Sequence, residues 1–151
     1  AFTFGPIAEV AILFAGIFIT MAPALVLLEQ RGPTLGLVAP WHFFLVSGAL
    51  SSVLDNAPTY LTILTAAQST ASSLGLAVDV VAVPASLLAA VSAGSVLMGA
   101  NTYIGNGPNF MVKSIAESSG YRMPSFGRYA VLAILILSPL YVVTAIMVSL
   151  Y

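Results

Sequence analysis

The sequence predicts an all-α integral membrane protein, built of transmembrane helices with a re-entrant helical hairpin and a broken helix. Three observations predict it. The chain is 60% hydrophobic, only 6% charged and has a mean hydropathy of +1.06, whereas a soluble domain carries about 25% charged residues. Its few charges bound long uncharged runs, several near the roughly 20 residues that cross a hydrocarbon core of about 30 Å. Two of the apolar stretches are interrupted by the same pattern of Asn, a small residue, Pro and a polar residue, Asn56-Ala57-Pro58-Thr59 and Asn106-Gly107-Pro108-Asn109.

The elements follow in order within one membrane domain, 1–151. The first is a crossing over 7–28, ended by Glu29-Gln30-Arg31-Gly32-Pro33, where charge and a Gly-Pro breaker mark a water-facing turn. The second spans 37–68. Leu37 to Leu54 is apolar, Asp55-Asn56-Ala57-Pro58 interrupts it, and Thr59 to Ala67 is apolar again before the Ser/Thr-rich stretch Gln68 to Ser73. A second arm of about half a bilayer implies a re-entrant hairpin with Asp55-Asn56 at a buried tip, although length alone also allows a broken crossing. Irregular backbone at that depth is tolerated only where protein or a water-filled cavity satisfies it.

The third element, 80–118, cannot be one straight helix. Val80 to Val112 is uncharged and would be roughly 50 Å long as a helix. Gly99, Asn101, Gly105, Asn106, Gly107 and Pro108 place a break near 100–108, with helix resuming at about Asn109 until Ser118-Ser119-Gly120. In both interruptions an amide stands where an N-cap belongs, with Pro in the first helical turn. The last crossing, 129–151, is interrupted only by Pro139. Ala82, Ser86, Ala90 and Gly94 form a small-residue stripe suited to close helix approach in lipid.

The chain opens at Ala1 with Glu9 near the start of its first apolar run and no basic segment ahead of it, which does not read as a signal peptide. It reads as a fragment boundary. If 37–68 is a hairpin, Lys113, Arg122 and Arg128 face Arg31 across the membrane, and the 119–128 loop is cytoplasmic by the positive-inside rule. A full crossing there would put all four basic residues on one side. Charge does not separate these topologies.

Several function classes drop out early. With four Lys/Arg against five Asp/Glu there is no basic patch for nucleic acid, and with no cysteine there is no thiolate site or nucleophile. An intramembrane aspartyl protease needs two cooperating carboxylates. Asp55 and Asp79 are the only Asp residues, and Asp79 reads as a segment end. The chain is not expected to be an enzyme.

Asp55 is the foremost candidate, because ionisable residues within membrane segments are costly and line ion or proton pathways. It is also a candidate N-cap for a helix beginning at Ala57. Ser51, Ser52, Asn56 and Thr59 surround it with neutral oxygens, as Asn101, Thr102, Asn106 and Asn109 surround the second break. Oxygen ligands suit hard cations. Half-helices meeting at a break also present carbonyls to cations and N–H groups to anions. The alternative role for these amides is capping. Trp41 and His42 read as interfacial packing, Lys113 and Glu117 as an i, i+4 surface pair, Glu29 and Asp79 as solvated ends, and Glu9 as a residue within reach of a cytoplasmic vestibule.

The strings Ser51-Ser52-Val53-Leu54-Asp55-Asn56-Ala57-Pro58-Thr59 and Gly99-Ala100-Asn101-Thr102-Tyr103-Ile104-Gly105-Asn106-Gly107-Pro108-Asn109-Phe110 resemble the ion transporter superfamily. Within it they are most similar to bacterial sodium:proton antiporters and the related citrate transporters. The resemblance covers essentially the whole chain as the C-terminal repeat, one of two inverted-repeat halves of a secondary transporter, and it decides for the outward-opening hairpin. It implies ion and substrate binding by Ser52, Asp55, Asn56 and Thr59 at the tip and Asn101, Thr102, Asn106 and Asn109 at the break. Asp55, Asn56 and Asn106 are the expected sodium ligands.

One departure bears on substrate. Sodium:dicarboxylate members carry Ser-Asn-Thr at such tips, whereas Asp55 here precedes Asn56, and Ala57-Pro58 separates it from Thr59. A built-in carboxylate fits sodium/proton antiport; the alternative is a sodium- or proton-coupled citrate or carboxylate symporter. The expected setting is the bacterial cytoplasmic (inner) membrane, multi-pass. Expected partners are membrane lipid, the N-terminal repeat of the same transporter, sodium and a proton, a carboxylate in the alternative reading, and a second copy in a homodimer. No cofactor is implied beyond the transported or coupling sodium ion.

Overall fold

A computed structural model describes the backbone of residues 5–150, and their side chains except at 5–11, 13, 14, 17 and 29. The expectations for the side chains of Glu9 and Glu29 therefore lie outside the described residues. Helix α1, Gly5–Arg31, has 27 residues and is about 40 Å long. It tightens into a 3-10 turn at Gly32–Leu35, which Gly36 ends with a left-handed φ of +69°. Gly32 sits against α3: a Cβ there would lie 2.9 Å from the Ser69 Cβ.

Helix α2, Pro40–Ser51, starts on a proline whose missing N–H costs nothing in the first turn. The His42 ring supplies the cap, its Nδ1 accepting from the N–H groups of Val38 and Ala39 at 3.3 Å each. Helix α3, Asn56–Leu74, has 19 residues, about 28 Å. The second arm is thus longer than the half-bilayer that the apolar run Thr59–Ala67 implied. Inside the helix the hydroxyls of Thr65 and Ser73 find partners on their own backbone, the carbonyls of Leu61 and Thr70 at 2.9 Å each, so these side chains are compatible with helix without promoting it. Termination falls to Gly75, at φ +60°, where Leu76 N–H donates to Ala71 O and Gly75 N–H to Ser72 O in a Schellman closure.

Helix α4, Ala85–Leu97, continues as a 3-10 turn at Met98–Asn101. The chain then runs irregularly to α5, Gly107–Ser118, so 80–118 is broken where the cluster of turn formers stands. Gly120, at φ +89°, closes α5 with Tyr121 N–H donating to Ala116 O. Ala82 falls outside α4, in a turn where it and Val81 have φ of +58° and +52°; the small-residue stripe is helical only from Ser86. Helix α6, Phe126–Leu150, has 25 residues, about 37 Å. It is the helix among the described residues that is both long and apolar enough to cross a membrane. Pro139 leaves the Leu135 carbonyl without its helical donor, and the Ser138 hydroxyl takes that place at 3.0 Å.

The core lies between α2, α3, α4 and α6. Phe43 and Phe44 are fully buried against Leu87, Ala90 and Val91, with Ile63 and Leu64 from α3 and Tyr141 and Val148 from α6. The most extensive pairing is α2 with α4, and α1 packs chiefly on α3. Gly94 makes the first pairing possible: a Cβ there would collide with the Ser47 hydroxyl and the Phe44 carbonyl. Helix α5 has no buried residue and exposes Phe110, Met111, Val112 and Ile115. The outer face of α6 likewise exposes Leu135, Ile136, Val142 and Met147, an apolar surface of the kind that lipid or protein covers.

Candidate functional site

Two interruptions of the helical backbone meet beside the α2–α4 pair. At the first, α2 ends at Ser51 and unwinds through Ser52–Leu54, whose N–H groups reach back to the Gly48 and Leu50 carbonyls. Asp55 then takes extended backbone (φ −62°, ψ 153°) and caps α3, its Oδ1 accepting from Ala57 N–H at 3.4 Å. At the second, Thr102 becomes extended after the 3-10 turn, and its hydroxyl accepts from Gly105 N–H at 2.9 Å. Asn106 caps α5, accepting from Asn109 N–H at 3.4 Å.

Hydrogen bonds knit the two interruptions together. The Thr102 hydroxyl donates to the Ser52 carbonyl at 2.6 Å, and the Asn101 amide nitrogen donates to the Ser52 hydroxyl at 2.9 Å. Ser52 Oγ in turn lies 3.0 Å from the Met98 carbonyl, and Ser51 Oγ donates to the Ser95 carbonyl at 2.6 Å. With its amide oriented nitrogen-inward, Asn56 has three acceptors in reach: Ser51 Oγ at 2.8 Å, the Ser95 carbonyl at 2.9 Å and the Gly105 carbonyl at 3.1 Å. Glycine is required at the contact. A Cβ on Gly99 would collide with the Asn56 amide, and one on Gly105 would lie 2.7 Å from the Ser51 carbonyl.

The expected residues divide into groups. Ser52, Asn56, Asn101 and Thr102 join the two interruptions directly, and Asn109 braces the loop through the Gly99 and Thr102 carbonyls at 3.4 and 3.2 Å. Thr59 is fully buried one turn into α3, and its hydroxyl has no hydrogen-bond partner among the described residues. Asp55 and Asn106 stand half-buried at the edge as helix caps. The equivalence of Asn56 and Asn106 is corrected here: Asp55 fills the cap of α3, which frees the Asn56 amide to cross to the loop. Of the expected sodium ligands, only Asn56 lies inside the bonded junction.

Chemically the junction offers hydroxyls, amides and carbonyls, with one carboxylate beside it. Among the described residues the single ion pair is Lys113–Glu117 at 2.6 Å, so Asp55 has no cationic partner there. Lys113 also lies 5.5 Å from the centre of the Tyr103 ring.

Sequence reasoning missed the tyrosines that fasten the break to α6. Tyr141 OH donates to Asn101 Oδ1 at 2.6 Å, Tyr129 OH to the Ala100 carbonyl at 3.2 Å, and Tyr103 stacks on Tyr129 with ring centres 4.1 Å apart. The usable signal was a phenol within an apolar span, which must find a partner when buried. Ser95, in the uncharged run 80–112, was missed as well; its carbonyl is the group that enters the junction. Asp79 is exposed as expected but also reaches the start of α4, accepting from Ala85 N–H at 3.3 Å.

A family model described as "Putative citrate transport" matches residues 1–149. No curated protein and no solved structure gives a significant match.

Proposed function

Because the chain belongs to this citrate-transport family of membrane transporters, we propose that it forms the C-terminal repeat of an ion-coupled secondary transporter, with sodium/proton antiport as its activity. The observation that carries the reading is Asp55, a half-buried carboxylate without a cationic partner among the described residues, beside a junction of neutral oxygens. A carboxylate in that setting binds sodium or a proton in alternation, which is what exchange requires. Asn56, Asn106, Ser52 and Thr59 supply neutral oxygens of the type a hard cation takes, with Asn101, Thr102 and Asn109 holding the loop that faces them.

In this reading α2 and α3 are the arms of a re-entrant hairpin in a multi-pass protein of the bacterial cytoplasmic membrane. Lipid covers α6, and the N-terminal repeat covers α5, whose apolar face is unburied here. A homodimer would bury further apolar surface.

The family description favours a second reading, symport of citrate or a related carboxylate with sodium or protons. Its anion would lie at the N-terminal turns of α3 and α5, where backbone N–H groups and the helix dipole attract negative charge. Proteoliposomes holding the full-length protein separate the two. Sodium-driven proton movement without an organic anion supports antiport, whereas sodium uptake only when citrate is present overturns it in favour of symport.

A further inference from the structure

Helices α2 and α6 leave a groove between them of about 460 Å³, almost wholly apolar in its lining. Leu45 of α2 and Val142, Ala145 and Ile146 of α6 line its length, with Trp41 and Ser149 toward one end and Tyr141 as the innermost α6 position. From Tyr141 to Leu150 the helix rises about 14 Å, close to half of a hydrocarbon core of about 30 Å. The groove thus runs the depth of one leaflet, from the level marked by Trp41 at the start of α2 to the middle of the membrane.

Its outer end carries hydrogen-bond donors. The His42 ring lies against the Trp41 indole with ring centres 3.9 Å apart. Its Nδ1 accepts from two backbone N–H groups, which leaves the ring proton on Nε2 as a donor. The Trp41 indole N–H is a second donor, and neither has an acceptor among the described residues. Donors therefore stand at the level of the membrane surface, with hydrocarbon contacts below them. A phospholipid has the matching order, its phosphate and ester oxygens above and its acyl chain beneath. A transmembrane helix does not, because along its length the backbone oxygens are bonded within the helix itself.

The inner end leads to the junction. Tyr141 lines the groove and is otherwise buried, while its hydroxyl holds Asn101 Oδ1 at 2.6 Å. A chain seated in the groove packs on the same residue that fastens the break after α4.

We propose that the α2–α6 groove is a site for one membrane phospholipid, with its headgroup and ester oxygens at Trp41 and His42, one acyl chain along α6 and the end of that chain on Tyr141. The proposal requires α6 to span the membrane and is independent of which ion or anion is carried.

Two measurements on the full-length protein test it. In bilayers of phosphatidylethanolamine and phosphatidylglycerol, a fraction of the lipid carries a diazirine near the end of one acyl chain, and the positions labelled on photolysis are mapped. Several-fold more label is expected at Tyr141 and Val142 than at Leu135 and Ile136, which are exposed elsewhere on α6. Native mass spectrometry of the detergent-purified protein should show one phospholipid retained per chain. Ile146→Trp, which fills the groove, should lose it, and Ile136→Trp should keep it; both positions are more than half exposed, so neither change disturbs the core. Trp41→Phe keeps a ring but removes the N–H, and should retain several-fold less lipid. Added phospholipid should raise the melting temperature of the wild-type protein by a few degrees and leave that of Ile146→Trp unchanged. Even labelling along α6 would overturn the site, as bulk lipid on an apolar surface. Absence of label at Val142 together with no retained lipid would also overturn it, with the N-terminal repeat or a second copy covering the groove instead. Equal retention by Trp41→Phe would overturn the assignment of the headgroup end.

Discussion

The Asn101 amide nitrogen donates to the Ser52 hydroxyl at 2.9 Å, a bond between positions 49 residues apart that ties the break after α4 to the end of α2. The same amide accepts from Tyr141 at 2.6 Å, so one side chain holds three helices. Each hydroxyl deprived of its partner here is a buried polar group, which costs about 1–3 kcal/mol when left unpaired. In membrane proteins the net worth of such a bond averages only about 0.6 kcal/mol, because the unfolded chain in lipid finds other partners.

Asn101→Ala is therefore expected to destabilise the detergent-solubilised full-length protein by about 1–3 kcal/mol, and Tyr141→Phe by less than half as much. Thermal unfolding of both variants and the double variant checks this. If the effects of Asn101→Ala and Tyr141→Phe simply add, the two residues are not coupled and the junction is not held in this way.

Helix approach gives a second expectation. Gly94→Ala places a methyl group on the Ser47 hydroxyl and Phe44 carbonyl, whereas Gly107→Ala meets nothing within 4 Å. Overpacking of this kind costs about 1–3 kcal/mol. Gly94→Ala should lower the melting temperature clearly and Gly107→Ala should leave it nearly unchanged, as read by scanning fluorimetry on the purified protein. Equal effects would mean that α2 and α4 are not in backbone contact at Gly94.

The turn between α3 and α4 supplies a third. Val81 and Ala82 both hold left-handed φ, and Val80 pairs with Val83 across them, the geometry of a type I′ turn that favours Asn-Gly. Left-handed backbone costs an L-residue about 1–2 kcal/mol. Replacing Val81-Ala82 by Asn-Gly should stabilise the protein by about 1–2 kcal/mol in total, since glycine's greater freedom when unfolded offsets part of the relief. A lower melting temperature would show that these residues do not adopt the turn.

The broken helix was legible in the sequence because Gly99, Asn101, Gly105, Asn106, Gly107 and Pro108 oppose helix through the backbone itself. The family resemblance was legible at the same two strings, and the match over 1–149 gives the same transporter family. The length of α3 was not. Its Ser and Thr residues are ambiguous from sequence, and only the geometry shows Thr65 and Ser73 bonding to their own helix. The division of labour between Asp55 and Asn56 was also hidden, because neighbouring residues with equal capping ability differ only in which one the loop needs. Nor does local pattern reveal that Tyr141 reaches Asn101, 40 residues away.

Asp55 separates a structural from a functional role most sharply. As the cap of α3 it accepts one backbone N–H at 3.4 Å, a task that an Asn side chain performs about as well. Asp55→Asn should thus preserve folding and membrane insertion, while Asp55→Ala should lose about 1 kcal/mol of stability with the cap. The neutral amide can carry neither the negative charge that holds sodium nor a proton. Under the antiport reading, Asp55→Asn proteoliposomes should lose sodium/proton exchange. Asp55→Glu keeps the charge and should retain part of the activity. Wild-type exchange rates in a folded Asp55→Asn protein would reduce Asp55 to a helix cap and move the search for the ion site into the bonded junction around Asn56.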